Sequence, residues 1–224
     1  MSAVLEALRR LRIVPLIVID DPGRAAGLAA ALADGGLPCA EVAFRTPAAL
    51  EALRRLAAKP GLLVGAGTVL TPDQAAQARS AGARFVVSPG LDRRVVEWCR
   101  AHDVDVFPGV CTPTEIAAAV AMGLGVVKFF PAEPMGGLPF LQAVAAPFNG
   151  VEFIPTGGLT ASHLPAYLGF RRVVACGGSW MAPQAWIADG QFDRIRAAAA
   201  ESVRLAAAPP LPPAPPPPPP RARA

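Results

Sequence analysis

Residues 124–133 read LGVVKFFPAE. Val126, Val127, Phe129 and Phe130 form a run that is apolar on both alternating faces, the pattern of a parallel strand covered on both sides. Lys128 interrupts it, at a position where an unpaired ammonium would be costly to bury. The chain otherwise avoids lysine: of its 21 basic residues only Lys59 and Lys128 are lysines, the rest being arginines. Abundant Ala, Gly, Pro and Arg are what a GC-rich coding sequence produces, and that bias does not account for Lys128. Lys59, before Pro60, reads as a solvated charge near a helix C-terminus.

Outward from this run the same pattern recurs. Residues 13–19, 39–44, 62–65, 85–88, 104–107, 126–130, 151–155 and 173–176 are apolar, β-type segments. Helical stretches such as AALEALRRLAA, PDQAAQARSAG, RRVVEWCRAH and TEIAAAVAMG separate them, most ending at glycine or a turn residue. Eight strands alternating with helices predict an α/β fold of the closed (β/α)₈ TIM-barrel type. The expected single domain spans residues 1–205 and opens with an amphipathic helix, MSAVLEALRRLR. An open doubly wound sheet is the competing architecture. Against it, no G-x-G-x-x-G follows the first strand, and the glycines cluster after late strands instead. From Ala206 the sequence turns to AAAPPLPPAPPPPPPRARA, which predicts a disordered, solvated polyproline II tail over residues 206–224.

With 224 residues, 53% of them apolar and 17% charged, the chain has enough interior for one sizeable core. Its formal charge of +4 is spread along the sequence with no basic stripe, which argues against a nucleic-acid partner. The first apolar run is too short and wrongly flanked for a signal peptide or membrane span. Cys39, Cys99, Cys111 and Cys176 show no metal-ligand spacing, so the expectation is a reduced, cytoplasmic protein with no metal.

In a parallel barrel the functional groups stand at the C-terminal ends of the strands. Those ends carry Glu41 and Arg45, Thr68, Ser88 and Pro89, Pro108 and Gly109, Lys128, then Thr156, Gly157 and Gly158, and finally Gly177, Gly178 and Ser179. Strand alternation puts Glu41, Ala43 and Arg45 on one face, and Val126, Lys128 and Phe130 on another. If both faces point inward, a carboxylate, a guanidinium and an amine converge. A lysine desolvated in an apolar strand, with Arg45 as a neighbouring cation, would have its pKa lowered and become nucleophilic, the condition for Schiff-base formation with a ketone. Glu41 is the inward carboxylate available for proton transfer. A plain buried Lys–Glu pair is the alternative, although such pairs contribute little to stability. PTGGLTASH and ACGGSW stand after the last two strands, where barrels bind phosphate through backbone N–H groups.

In order and spacing, AEVAFRTP, VGAGTVLT, FVVSPG, PGVCTPTE, VKFFPAE, PTGG and CGGSW resemble the 2-keto-3-deoxy-6-phosphogluconate (KDPG) and 4-hydroxy-2-oxoglutarate aldolases. The resemblance spans roughly residues 3–205. It implies a class I aldolase of sugar-acid breakdown, without cofactor, in which Lys128 forms the Schiff base and Glu41 is the general acid/base. It further implies that Arg45 and Thr68 hold the carboxylate of the pyruvate moiety and that Thr156, Gly157, Gly158, Gly178 and Ser179 surround the phosphate. Pro89 and Phe130 would line the pocket, and the assembly would be a homotrimer acting on a small phosphorylated keto acid. A non-aldolase phosphate-binding barrel, either a sugar-phosphate isomerase or a scaffold displaying its proline-rich tails, is the alternative function.

Overall fold

The computed structural model describes residues 2–207, in which strands and helices alternate from end to end. Helix α1 (Ala3–Leu11) leads into β1 (Ile13–Ile17), followed by α2 (Ala25–Asp34), β2 (Cys39–Ala43), α3 (Ala49–Ala57), β3 (Leu63–Gly67), α4 (Pro72–Ser80) and β4 (Phe85–Ser88). The second half continues with α5 (Arg93–Ala101), β5 (Asp105–Val110), α6 (Pro113–Ala121), β6 (Val126–Phe129), α7 (Gly137–Ala145), β7 (Glu152–Pro155), α8 (Leu164–Gly169), β8 (Cys176–Gly178), α9 (Gln184–Ala188) and α10 (Phe192–Ala207). All strand pairs are parallel, in the order β7-β6-β5-β4-β3-β2-β1-β8. Parallel bridges Phe153↔Val173 and Thr156↔Gly177 join the two ends of that order and close the (β/α)₈ barrel.

Period-two alternation divides each strand between two cores. Ala40 and Val42 of β2, and Val127 and Phe129 of β6, point outward into the layer shared with the helices. Cys39, Phe85, Val87, Phe107 and Ile154 fill the interior instead. Glu41 and Lys128 occupy interior positions of the same alternation, which is how two charged residues come to lie inside an apolar cylinder.

The N-terminal helix supplies the floor of that interior. Ser2 caps α1, its hydroxyl accepting from the Leu5 N–H at 3.1 Å. Val4 and Leu8 then pack among Val14, Phe85 and Val174. Arg9 fixes the helix to the start of β7 by a two-pronged pair with Glu152, in which Nη1 donates to Oε1 at 2.9 Å. Farther along, Thr–Pro steps start α4 and α6: the Thr71 and Thr112 hydroxyls accept from the Gln74 and Glu115 N–H groups, and proline fills the first helical position.

Most strand ends shift by one or two residues from the sequence expectation, β3 for instance running on to Gly67, and three further differences have a clear physical reason. Strand eight was expected at residues 173–176 and lies at Cys176–Gly178, because the ladder with β1 pairs Ile13 with Cys176, Val14 with Gly177 and Pro15 with Gly178. Glycine weakens a strand by itself, so register with β1 overrides local preference here. β5 runs on through Pro108 and Gly109, which were expected beyond its end. Helix α10 extends through Ala207, so Ala206 and Ala207, expected in the tail, are helical. Alanine favours helix, and Arg12 Nη1 donates to the Ala206 carbonyl at 2.6 Å. The proline-rich stretch from residue 208 lies outside the described residues.

Leu8 is fully buried against the barrel interior, so Leu8→Ala is expected to lower the free energy of unfolding by about 2–5 kcal/mol, read from urea denaturation curves at unchanged slope.

Candidate active site

Lys128 Nζ lies 3.5 Å from Glu41 Oε1, and both side chains are almost entirely shielded from solvent, at 5% and 3% exposure. Glu41 Oε1 has no hydrogen-bond partner. Apart from the long ion pair with Lys128, this buried oxygen keeps an unused accepting capacity, which makes the spot a candidate working position. The Phe130 ring centroid stands 5.2 Å from the ammonium, within cation–π range. Below the pair a narrow cavity leads down toward Leu8, lined by Val87, Phe107, Ile154 and Thr156 among others. Cys39, on the same inner face as Glu41, is pushed above the ordinary thiol range by burial and secondarily by the Glu41 charge, and so stays a neutral thiol.

β3 shapes the seat of the carboxylate. Ala43 pairs with Gly67 in the β2–β3 ladder, and a Cβ on Gly67 would overlap Glu41 Oε1. Thr68, the next residue, takes a left-handed backbone with φ of 59°, a conformation that costs a β-branched residue energy and clusters at functional sites. Its hydroxyl accepts from Arg45 Nε at 3.4 Å.

Arg45 does not continue the alternation of β2, as the sequence suggested. The strand ends at Ala43, and a tight turn in which the Arg45 N–H donates to the Ala43 carbonyl at 2.8 Å carries the guanidinium to the exposed rim beside Thr68. The charged group set against Lys128 is therefore Glu41, and the expected neighbouring cation is directed elsewhere.

Across the barrel, the two glycine stretches are neighbours. Thr156 follows β7, is buried, and bridges Gly177 of β8; a Cβ on Gly177 would overlap the Thr156 hydroxyl. Gly157 and Gly158 continue from it with φ of 103° and 79°. Gly178 ends β8, and Ser179 is exposed beyond it. Pro89 follows β4, its carbonyl so near β5 that a Cβ on Gly109 would strike it. Glu41, Lys128, Phe130, Thr156 and Gly157 thus form one group, with Arg45 and Thr68 paired at the rim. Among the described residues, no group of three or more His, Cys, Asp or Glu side chains is arranged to hold a metal ion.

Residues 4–198 match the family KDPG and KHG aldolase. The chain belongs to this family. It is 45% identical over 206 residues to the 2-dehydro-3-deoxy-phosphogluconate aldolase of Treponema pallidum, covering 92% of this chain and 98% of that protein. The KHG/KDPG aldolase of Escherichia coli K12 is 41% identical over 85% of this chain and 90% of its own. Among solved structures, the KDPG aldolase of Legionella pneumophila, with pyruvate captured as a covalent carbinolamine intermediate, superposes with a TM-score of 0.85 at 36% identity, covering 89% of this chain and 97% of that one.

Gly67 and Leu8 contribute to the site without having been singled out from the sequence. Gly67 lies beyond the strand expected at 62–65, and only the observed extension of β3 to Gly67 makes it a strand glycine of the kind that marks a close approach. Nothing local announced Leu8, which reaches the site only because α1 folds under the barrel. Gly67→Ala is expected to lower aldol cleavage by about 100-fold while pyruvate still reacts with Lys128, because the new methyl group displaces Glu41 and leaves the lysine in place. Steady-state kinetics and borohydride trapping, run side by side on this variant, check both halves.

Proposed function

We propose that this aldolase cleaves 2-keto-3-deoxy-6-phosphogluconate to pyruvate and glyceraldehyde 3-phosphate through a Schiff base on Lys128, and that 4-hydroxy-2-oxoglutarate is a second substrate. The observation that carries the reading is the buried Lys128–Glu41 pair, 3.5 Å apart inside the barrel. The names of the relatives and the phosphate-suited glycine loops support it.

In the proposed mechanism the Lys128 amine, once it has given up its proton, adds to the C2 ketone. Loss of water from the resulting carbinolamine gives an iminium ion. Glu41 takes the proton from the C4 hydroxyl, the C3–C4 bond breaks, and its electron pair flows into the iminium to form an enamine while the aldehyde departs. Glu41 then returns a proton to C3, and water hydrolyses the pyruvate imine, restoring the amine. One carboxylate serves both transfers because the unpartnered Oε1 faces the lysine on which the substrate is carried.

Arg45 and Thr68 are assigned to the substrate carboxylate, since a guanidinium and a hydroxyl already sit together at the rim. Thr156, Gly157, Gly158, Gly178 and Ser179 are assigned to the phosphate, and Pro89 and Phe130 to the pocket wall. The glycine loops have no side chain to hold a phosphate away from their N–H groups. As the family resemblance implies, the working form is proposed to be a cytoplasmic homotrimer. No described helix is long and apolar enough to cross a membrane. The domain is proposed to occupy the described barrel, with the proline-rich stretch as an appended tail.

Borohydride reduction in the presence of pyruvate is expected to leave a stable adduct on the peptide carrying Lys128, seen by mass spectrometry and absent without pyruvate. A folded protein that gives no adduct would overturn the imine mechanism. Lys128→Ala is expected to abolish both the adduct and cleavage of the phosphorylated aldol, measured by coupling pyruvate release to its reduction. Light scattering at three times the chain mass is the outcome expected for the assembly.

A further inference from the structure

The PTGGLT loop, which carries Thr156, Gly157 and Gly158, is held from behind by a polar network that the proposed reaction does not use. Glu133, at the end of VKFFPAE, donates its backbone N–H to the Gly157 carbonyl at 3.0 Å, and the preceding Ala132 N–H donates to the Thr156 carbonyl at 2.9 Å. At the far end of the loop the Thr160 N–H donates to His163 Nδ1 at 3.0 Å. Because Nδ1 accepts, the ring proton sits on Nε2, and Nε2 faces Glu133 Oε2 at 3.8 Å. The other carboxylate oxygen, Oε1, accepts from the Tyr167 hydroxyl at 2.5 Å. Burial, and then donation to Glu133, raise the Tyr167 phenol, so it remains a donor at every physiological pH.

Glu133 therefore holds the near end of the loop by its backbone and reaches toward the far end with its side chain. Its main chain grips Gly157, while its side chain faces the histidine that grips Thr160. Gly158 lies directly against it: a Cβ there would stand 2.7 Å from Glu133 Cβ. The loop has no room to move toward Glu133, and the hydrogen bonds hinder movement away from it. Charge argues against a direct role in anion binding, because a carboxylate pointed at a phosphate would repel it. Glu133 Oε1 is taken by the Tyr167 hydroxyl, while Oε2 stands 3.8 Å from His163 Nε2, beyond hydrogen-bond distance.

We infer that Glu133, His163 and Tyr167 are positioning residues that fix the N–H groups of Gly157 and Gly158 for the phosphate end of the substrate, and so set the preference for a phosphorylated over an unphosphorylated aldol. The inference rests on the proposed aldolase reading and adds to it a selectivity device. The network touches neither Lys128 nor Glu41, so loosening it spares imine chemistry. It acts on binding at the distal end, where the two substrates differ.

The test compares Glu133→Ala, Tyr167→Phe and Glu133→Gln with the unaltered protein. For each, KM and kcat are measured with 2-keto-3-deoxy-6-phosphogluconate and with 4-hydroxy-2-oxoglutarate, alongside borohydride trapping of pyruvate. Glu133→Ala is expected to raise KM for the phosphorylated substrate about tenfold, with kcat, the unphosphorylated substrate and trapping each within about twofold. Tyr167→Phe shifts the same KM in the same direction, and Glu133→Gln, whose amide oxygen still accepts from Tyr167, restores most of the loss. Equal losses with both substrates would reduce the network to general scaffolding and overturn the inference, as would no change with either. Should Glu133→Ala fail to fold, the KM ratio of Tyr167→Phe decides alone. A missing pyruvate adduct on the unaltered protein would instead overturn the aldolase reading, and this one with it; a normal adduct with unshifted KM ratios would remove only this one.

Discussion

Two opposite charges buried face to face set the terms for the rest of the barrel. The Lys128 ammonium and the Glu41 carboxylate have both left water, and neither can be removed without stranding the other in an apolar interior. Strands β2 and β6 are four places apart in either direction round the closed sheet, so their side chains meet across the axis. Only a closed cylinder with both residues on its inner alternation brings them to 3.5 Å. Much of the surrounding sequence serves this arrangement: Leu8 closes the interior from below, and Gly67 leaves the carboxylate its space.

Chemistry and recognition are divided round the rim. β2 and β3 contribute Glu41, Arg45 and Thr68, a carboxylate, a guanidinium and a hydroxyl. β7 and β8 contribute mostly backbone, through Thr156 and the glycines whose neighbouring strands are bridged at Thr156 and Gly177. Side chains act where a proton or a small carboxylate must be addressed by a specific group. Under the proposed assignment, main-chain N–H groups would serve where a larger anion needs several donors at once and no Cβ in the way. Backbone loops adapt easily, so a site of the proposed kind would depend on what stiffens it from behind, the role inferred for Glu133, His163 and Tyr167.

Most of the barrel was legible in the chain because eight nearly all-apolar runs alternating with helices have few ways to bury their surfaces. Lysine in LGVVKFFPAE was legible for a related reason: burial of a charge is costly enough that its presence needs an explanation. Strand eight was misplaced because its glycines have poor strand propensity, and only the ladder with β1 recruits them. Arg45 leaves the alternation of β2 because the strand ends at Ala43 and turns before reaching it. Ala206 and Ala207, which composition groups with the alanines and prolines that follow, are held in helix by α10 and Arg12.

The sequence by itself determined the fold class, the family and the set of chemically active residue types, because periodicity, residue spacing and the cost of burying charge are properties of the chain. Tertiary structure alone decided which of those residues meet. That Glu41 faces Lys128 while Arg45 turns to Thr68, that Gly67 is the space the carboxylate occupies, and that Glu133 braces a loop more than twenty residues away all follow from strand register and barrel closure. Those are long-range properties, fixed only when every strand has found its neighbour.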